Sequence, residues 1–122
     1  MTGAKLNSES NKTDALVDLA SESWRLARQF LRAIDLKEAS LAQRQAGQVR
    51  YFQRRLDDIL STEGLRIVDL EGQDYDVGMA MTALNSADFG PEDGLIVDQM
   101  IEPTIMDAGG VRRVGTGMLR KR

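Results

Sequence analysis

Between Leu16 and Ile34 the apolar residues Leu16, Leu19, Ala20, Trp24, Ala27, Leu31 and Ile34 recur at threes and fours, the spacing of a single helix face. The stripe resumes with Val49, Phe52, Leu56, Ile59 and Leu60. It stops at the S-T-E-G of residues 61–64, where Gly64 suits the left-handed position just past a helix end. Between Lys37 and Gln48 good helix formers remain but the stripe is lost, and Gly47 costs about 1 kcal/mol relative to alanine. The spacing therefore predicts two helices with a break in that region, or one long helix with a weak middle. Unbroken from Leu16 to Leu60, the helix would be roughly 65 Å long at the standard rise, more than the small domain after it can cover. Its apolar seam calls for a partner, and a second copy of the chain is the simplest one, through a coiled coil or a four-helix bundle. Leu16, Trp24, Leu31, Ile34, Phe52 and Leu56 are the expected homodimer interface, with Trp24 as an anchor in that interface or in the core.

After Gly64 the pattern changes. L-R-I-V-D-L, G-M-A-M-T-A-L, G-L-I-V-D-Q-M-I and V-R-R-V-G-T-G-M-L are strand-length runs, separated by segments rich in Gly, Pro, Asn and Asp. They predict an α+β chain: a helical region followed by a small antiparallel β domain that leans on the helices or on a partner. The expected boundaries are a disordered polar tail over residues 1–12, a helical dimerisation region over 13–63 capped by Asn11 or Thr13, and the β domain over 64–122.

Cysteine and histidine are both absent. Disulfides, thiol nucleophiles, imidazole bases and nearly all transition-metal sites are thereby excluded. Asp74, Asp76, Asp88, Glu92 and Asp93 fall in two loops, but without the calcium-loop spacing they read as solvated turn carboxylates. The G-G-V-R-R-V-G-T-G segment lacks the lysine and the strand-to-helix placement of a phosphate cradle, so its glycines read as turn and bulge formers. Met79 and Met81 alternate as core fillers. The net charge is −3, with acids and bases interspersed, which offers no broad footprint for nucleic acid or an anionic membrane. No apolar run approaches the length of a membrane span, and the N-terminal residues lack the apolar core of a secretion signal. A cytoplasmic location is expected, and nothing in the composition calls for a cofactor.

Arg112 and Arg113 are adjacent in the last strand-length run, so strict alternation would send them to opposite faces of a sheet. One is expected to be solvated. The other needs a further reason, and a planar guanidinium on a rigid strand is suited to carboxylates and carbonyls of a partner.

The order of motifs resembles the C-terminal two-thirds of the GrpE family, nucleotide exchange factors of DnaK-type chaperones. Leu60, Gly64, Gly72, Tyr75 and Asp76 match a leucine-bearing helix ending in glycine, a short strand, a second glycine and an aromatic–Asp pair. Asp88, Gly94, Ile96 and Val97 match an acidic turn followed by a Gly-x-Ile/Val-Val strand, and Arg112 falls on the arginine of the family's closing hairpin. The resemblance covers about residues 15–120. It departs at Val77, at G-M-A-M-T-A-L, at E-P-T-I and at Arg113-Val114, where the family carries other residues. It implies a non-enzymatic, homodimeric cochaperone that binds the nucleotide-binding domain of a DnaK-type ATPase, either the general chaperone or a divergent one dedicated to it, and promotes ADP release. Arg112 would be the partner contact and Arg113 the solvated arginine. Read without the resemblance, the same residues fit a helical dimer that displays a small β domain to another protein, an adaptor.

Overall fold

The computed structural model describes residues 2–122, with side-chain environments from residue 11 onward. The chain is α+β, as the sequence predicts. Two helices, α1 (Thr2–Ala33) and α2 (Ala39–Thr62), precede six short strands: β1 (Arg66–Val68), β2 (Met81–Ala83), β3 (Leu95–Glu102), β4 (Thr104–Asp107), β5 (Gly110–Arg113) and β6 (Gly115–Lys121). The chain forms two compact units, one ending at Ile59 and one running from Leu60 to Arg122.

In the first unit the break comes at residues 34–38, earlier than the loss of the stripe suggests. Asp35 makes the turn: its carboxylate accepts the Lys37 amide at 3.0 Å and its carbonyl accepts the Glu38 amide at 3.4 Å. The carbonyl of Glu38 then accepts the Ala42 amide at 2.8 Å, and α2 is under way. Short polar side chains that bond their own backbone in this way compete with helix and favour turns. Gly47 sits inside α2, where an added methyl would meet nothing nearer than the Arg50 guanidinium at 4.0 Å. Gly47→Ala should therefore stabilise the helical unit by about 0.5–1 kcal/mol, read as a higher urea midpoint at unchanged slope. Residues 2–12, expected to be disordered, belong to α1. They contain no proline, and Ala4, Lys5, Leu6, Glu9 and Lys12 are good helix formers that need no apolar stripe to extend it.

Val17, Ala20, Ser21, Trp24 and Ala27 of α1 and Ala42 and Val49 of α2 are buried. Most are small, which permits close approach of packed helices. Trp24 supplies the bulk, with the Arg28 guanidinium 4.7 Å above its ring.

The second unit opens where α2 ends. Gly64 adopts a φ of 69°, its amide bonds the Ser61 carbonyl at 3.0 Å, and the Leu65 amide bonds the Leu60 carbonyl at 3.0 Å. This is a Schellman ending, and its apolar pair, Leu60 and Leu65, is buried. The expected left-handed glycine is therefore present, and it turns the chain into β1.

The strands make two three-stranded sheets, β1-β4-β5 and β2-β6-β3, with β2 parallel to β6 and every other pairing antiparallel. Residues 95–121 are in effect one long hairpin that changes sheet midway. One arm crosses at Pro103, which is fully buried, and the other at Val114. β3 pairs with β6 before the crossing and β4 with β5 after it. The Thr104 hydroxyl holds the crossing together, donating to the Ala80 carbonyl at 2.6 Å and accepting the Gly115 amide at 3.1 Å. The run V-R-R-V-G-T-G-M-L, expected as one strand, is thus two strands in two sheets, and β4 occupies what reads as a turn. Met81, Val97, Met100, Ile105 and Leu119 form the core.

Side chains replace missing ladder bonds at irregular points. Glu71 accepts the Met100 amide at 2.9 Å beside the register shift of β3. Asn85 donates to the Leu119 carbonyl at 2.9 Å and accepts its amide at 2.8 Å, acting as a substitute strand partner for β6. Residues 72–75 extend the β3 edge, with Gly72 bonding the Val97 carbonyl and Tyr75 the Leu95 carbonyl, both at 2.9 Å.

Candidate partner-binding surfaces

Arg112 lies on β5, next to the tip of the long hairpin. The register there shifts: Met106 pairs with Val111 and Ile105 with Arg113, so Arg112 is an inserted residue, a β-bulge. The strict alternation that would separate the two arginines does not hold across an inserted residue. Both are half-buried, so Arg113 is not the fully solvated side chain expected. The Arg112 guanidinium is 3.9 Å from the carboxylate of Asp107, across the hairpin turn. Asp107 also accepts the Gly109 amide at 2.8 Å, and Gly110 turns the chain with a φ of 126°. The ion pair is long and partly exposed and contributes little to stability; it sets the guanidinium beside the hairpin turn. Arg66, on β1, places its guanidinium 3.5 Å from the Met106 sulfur, adding a third arginine to the same sheet.

A second surface lies on the helical unit. Leu26, Ala27 and Phe30 of α1 and Gln48, Val49 and Phe52 of α2 line a groove of about 210 Å³. Leu26 is 67% exposed, Phe30 45% and Phe52 42%. Leu19 on α1 and Ile59 on α2, seven residues from Leu26 and Phe52, are exposed as well. Each helix therefore carries two apolar stripes, one buried in the hairpin and one left open. Of the six expected interface residues, Trp24 is buried within the chain, Leu16, Leu31, Ile34 and Leu56 are half-buried, and Phe52 lines the open groove. Leu19, Leu26 and Phe30 were not among the six. Their signal was their own seven- and four-residue spacing, offset around the helix from the stripe of Val17, Ala20 and Trp24.

On α2 the Asp57 carboxyl is raised above its ordinary value, first by partial desolvation and then by the neighbouring charge of Asp58. It does not line the groove. Among the described residues no three carboxylates come together to hold a metal ion, and no helix is long and apolar enough to cross a membrane.

No protein family, no curated protein and no solved structure matches the chain.

Proposed function

We propose that this protein is a GrpE-like nucleotide exchange factor, a dimer paired through its helices that binds the nucleotide-binding domain of a DnaK-type chaperone and speeds ADP release. The observation that carries the reading is the helical face with Leu26, Phe30 and Phe52 open to solvent, on a chain whose α2 is closed by Gly64 and leads into a β unit with Arg112 on its hairpin. A contiguous exposed apolar face of this kind marks an interaction site. A second copy covers it with chemically identical residues, as a two-fold interface requires.

The mechanism needs no reacting group. An exchange factor that prefers the open state of a nucleotide cleft weakens ADP binding by the same factor, because binding linkage is reciprocal. Each tenfold gain in release rate requires about 1.4 kcal/mol, within reach of a few buried contacts. The test is release of labelled ADP from DnaK-type ATPases on mixing with the protein. Release should accelerate, and Arg112→Ala should reduce the gain by about tenfold or more while melting as the parent does. Arg112→Lys should recover only part of the gain, since it keeps the charge and loses the fork. Unchanged release across the chaperones of the source cell, with recovery of a different partner, would establish the adaptor role instead.

A further inference from the structure

The β unit carries a cleft lined by Tyr75, Asp76, Val77, Phe89, Pro91, Asp93 and neighbouring residues, with a volume of about 530 Å³. Its walls are fixed locally. The Tyr75 amide is bonded to the Leu95 carbonyl at 2.9 Å, and Asp76 accepts the Gly78 amide at 3.1 Å. In the second lining segment Asp93 accepts the Gly90 amide at 2.8 Å, and a turn of 3-10 helix at Ser86–Asp88 precedes Phe89. Val77 is 89% exposed.

The segment that forms this cleft is acidic, and the cations that meet it come from the C-terminus, where Arg122 lies 3.5 Å from Asp74. From Ile67 to Val111 the sequence holds ten carboxylates and not one lysine or arginine. The impression of interspersed charge comes from averaging over the whole chain. The cations of the β unit lie at the two ends of that stretch, on β1, β5 and β6 and at the C-terminus. Asp93 has Lys121 at 4.0 Å, at the outer limit of an ion pair, and the carboxylate of Asp76 is exposed. Two aromatic rings, apolar side chains and two carboxylates lining one cleft suit a side chain with an apolar stem and a cationic head. The rings attract the cation, the apolar side chains take the stem and the carboxylates select the charge.

We infer that the cleft of Tyr75, Val77, Phe89 and Pro91, rimmed by Asp76 and Asp93, is a docking site for a partner segment that presents lysine or arginine beside an apolar residue. The volume falls in the range of ordinary ligand pockets, enough for one or two side chains of an extended segment. This site is separate from Arg112 and does not rest on the exchange-factor reading. Its test therefore contains no chaperone.

A fluorescein-labelled decapeptide alternating lysine and leucine is titrated with the whole protein, beside matched peptides with glutamate or serine in place of lysine. The lysine peptide should bind saturably, more weakly as salt rises, and should shift the amide resonances of Tyr75, Ser86, Gly90 and Leu95. The glutamate peptide should not bind, and the serine peptide should bind at least about tenfold more weakly than the lysine one. Asp76→Asn with Asp93→Asn removes the charge and keeps an acceptor oxygen for the Gly78 and Gly90 amides, so the fold is retained. That variant should lose about tenfold in affinity, and Phe89→Ala a similar factor. Equal binding of the three peptides, resonance shifts confined to other residues, or full affinity in the asparagine variant would overturn the assignment.

Discussion

Gly115→Ala should unfold the β unit or leave it barely folded at room temperature. A methyl built on Gly115 would lie 2.7 Å from the Glu102 carbonyl oxygen, 2.7 Å from the Thr104 hydroxyl and 2.8 Å from the Met100 terminal carbon. Only the last can move cheaply. Glu102 belongs to the partner strand at the point where the hairpin changes sheet, and the hydroxyl is already committed to two hydrogen bonds. Overpacking of this kind typically costs 1–3 kcal/mol, and a backbone contact raises the figure to about 3 kcal/mol or beyond. At roughly 0.05–0.15 kcal/mol per residue a unit of this size holds only a few kcal/mol in reserve. The measurement is methyl NMR: the resolved signals of Met81 and Met100 should collapse toward random-coil positions. Gly117→Ala should act in the same direction, since its methyl would meet the Gln99 carbonyl at 2.8 Å and the Met81 terminal carbon at 3.0 Å. Native dispersion in both variants would show that the strands can part without cost.

These two glycines show where the sequence stops being legible. Gly64 could be assigned to a helix end because the requirement is local: a left-handed residue after an apolar stripe, with leucines on both sides to close the motif. Gly115 and Gly117 look like turn formers for the same local reasons, yet they lie within a strand. What excludes a side chain there is the approach of β3 and of Met81, residues far away in sequence. β4 was hidden similarly. Thr104–Asp107 is bracketed by Pro103 and by the Asp107-Ala108-Gly109 turn, and only the sheet change at Pro103 makes a strand of it.

The helical unit was legible in kind and less so in detail. Periodicity identified one apolar stripe along the helices but could not show which of its members are buried and which stay open, nor that Leu26 and Phe30 join the open face. That division depends on where the chain turns back, which is decided by the Asp35 turn and not by Gly47. Trp24 went inward and Leu26 and Phe30 stayed outside. For Arg112 the strand was legible but the bulge was not, because an inserted residue is defined only by its partner's register. The acidic cleft was missed for another reason. Its charge pattern was in the sequence throughout, over residues 67–111, but a net charge for the whole chain conceals a local excess.

Thr104→Val should destabilise the β unit by about 2–3 kcal/mol although it preserves shape and increases apolar area. Thr104 is 1% exposed, so no water stands in for its hydroxyl. The substitution removes the donor to the Ala80 carbonyl and the acceptor for the Gly115 amide, the pair of bonds that ties β2's approach to the crossing of the hairpin. A buried polar group left without its partner loses its full desolvation energy, whereas the added methyl contributes less than a kcal/mol. Thr104→Ser makes the comparison decisive. It keeps both bonds and gives up one methyl, so it should cost only about 1 kcal/mol. Urea unfolding ranks the three proteins, and hydrogen exchange at the Gly115 amide locates the effect: protection should survive in the serine variant and fall in the valine variant beyond the loss in global stability. Were valine to prove as stable as threonine, the crossing at Pro103 and Val114 would be held by core packing alone, and the excluded volume at Gly115 would be its sole specific constraint.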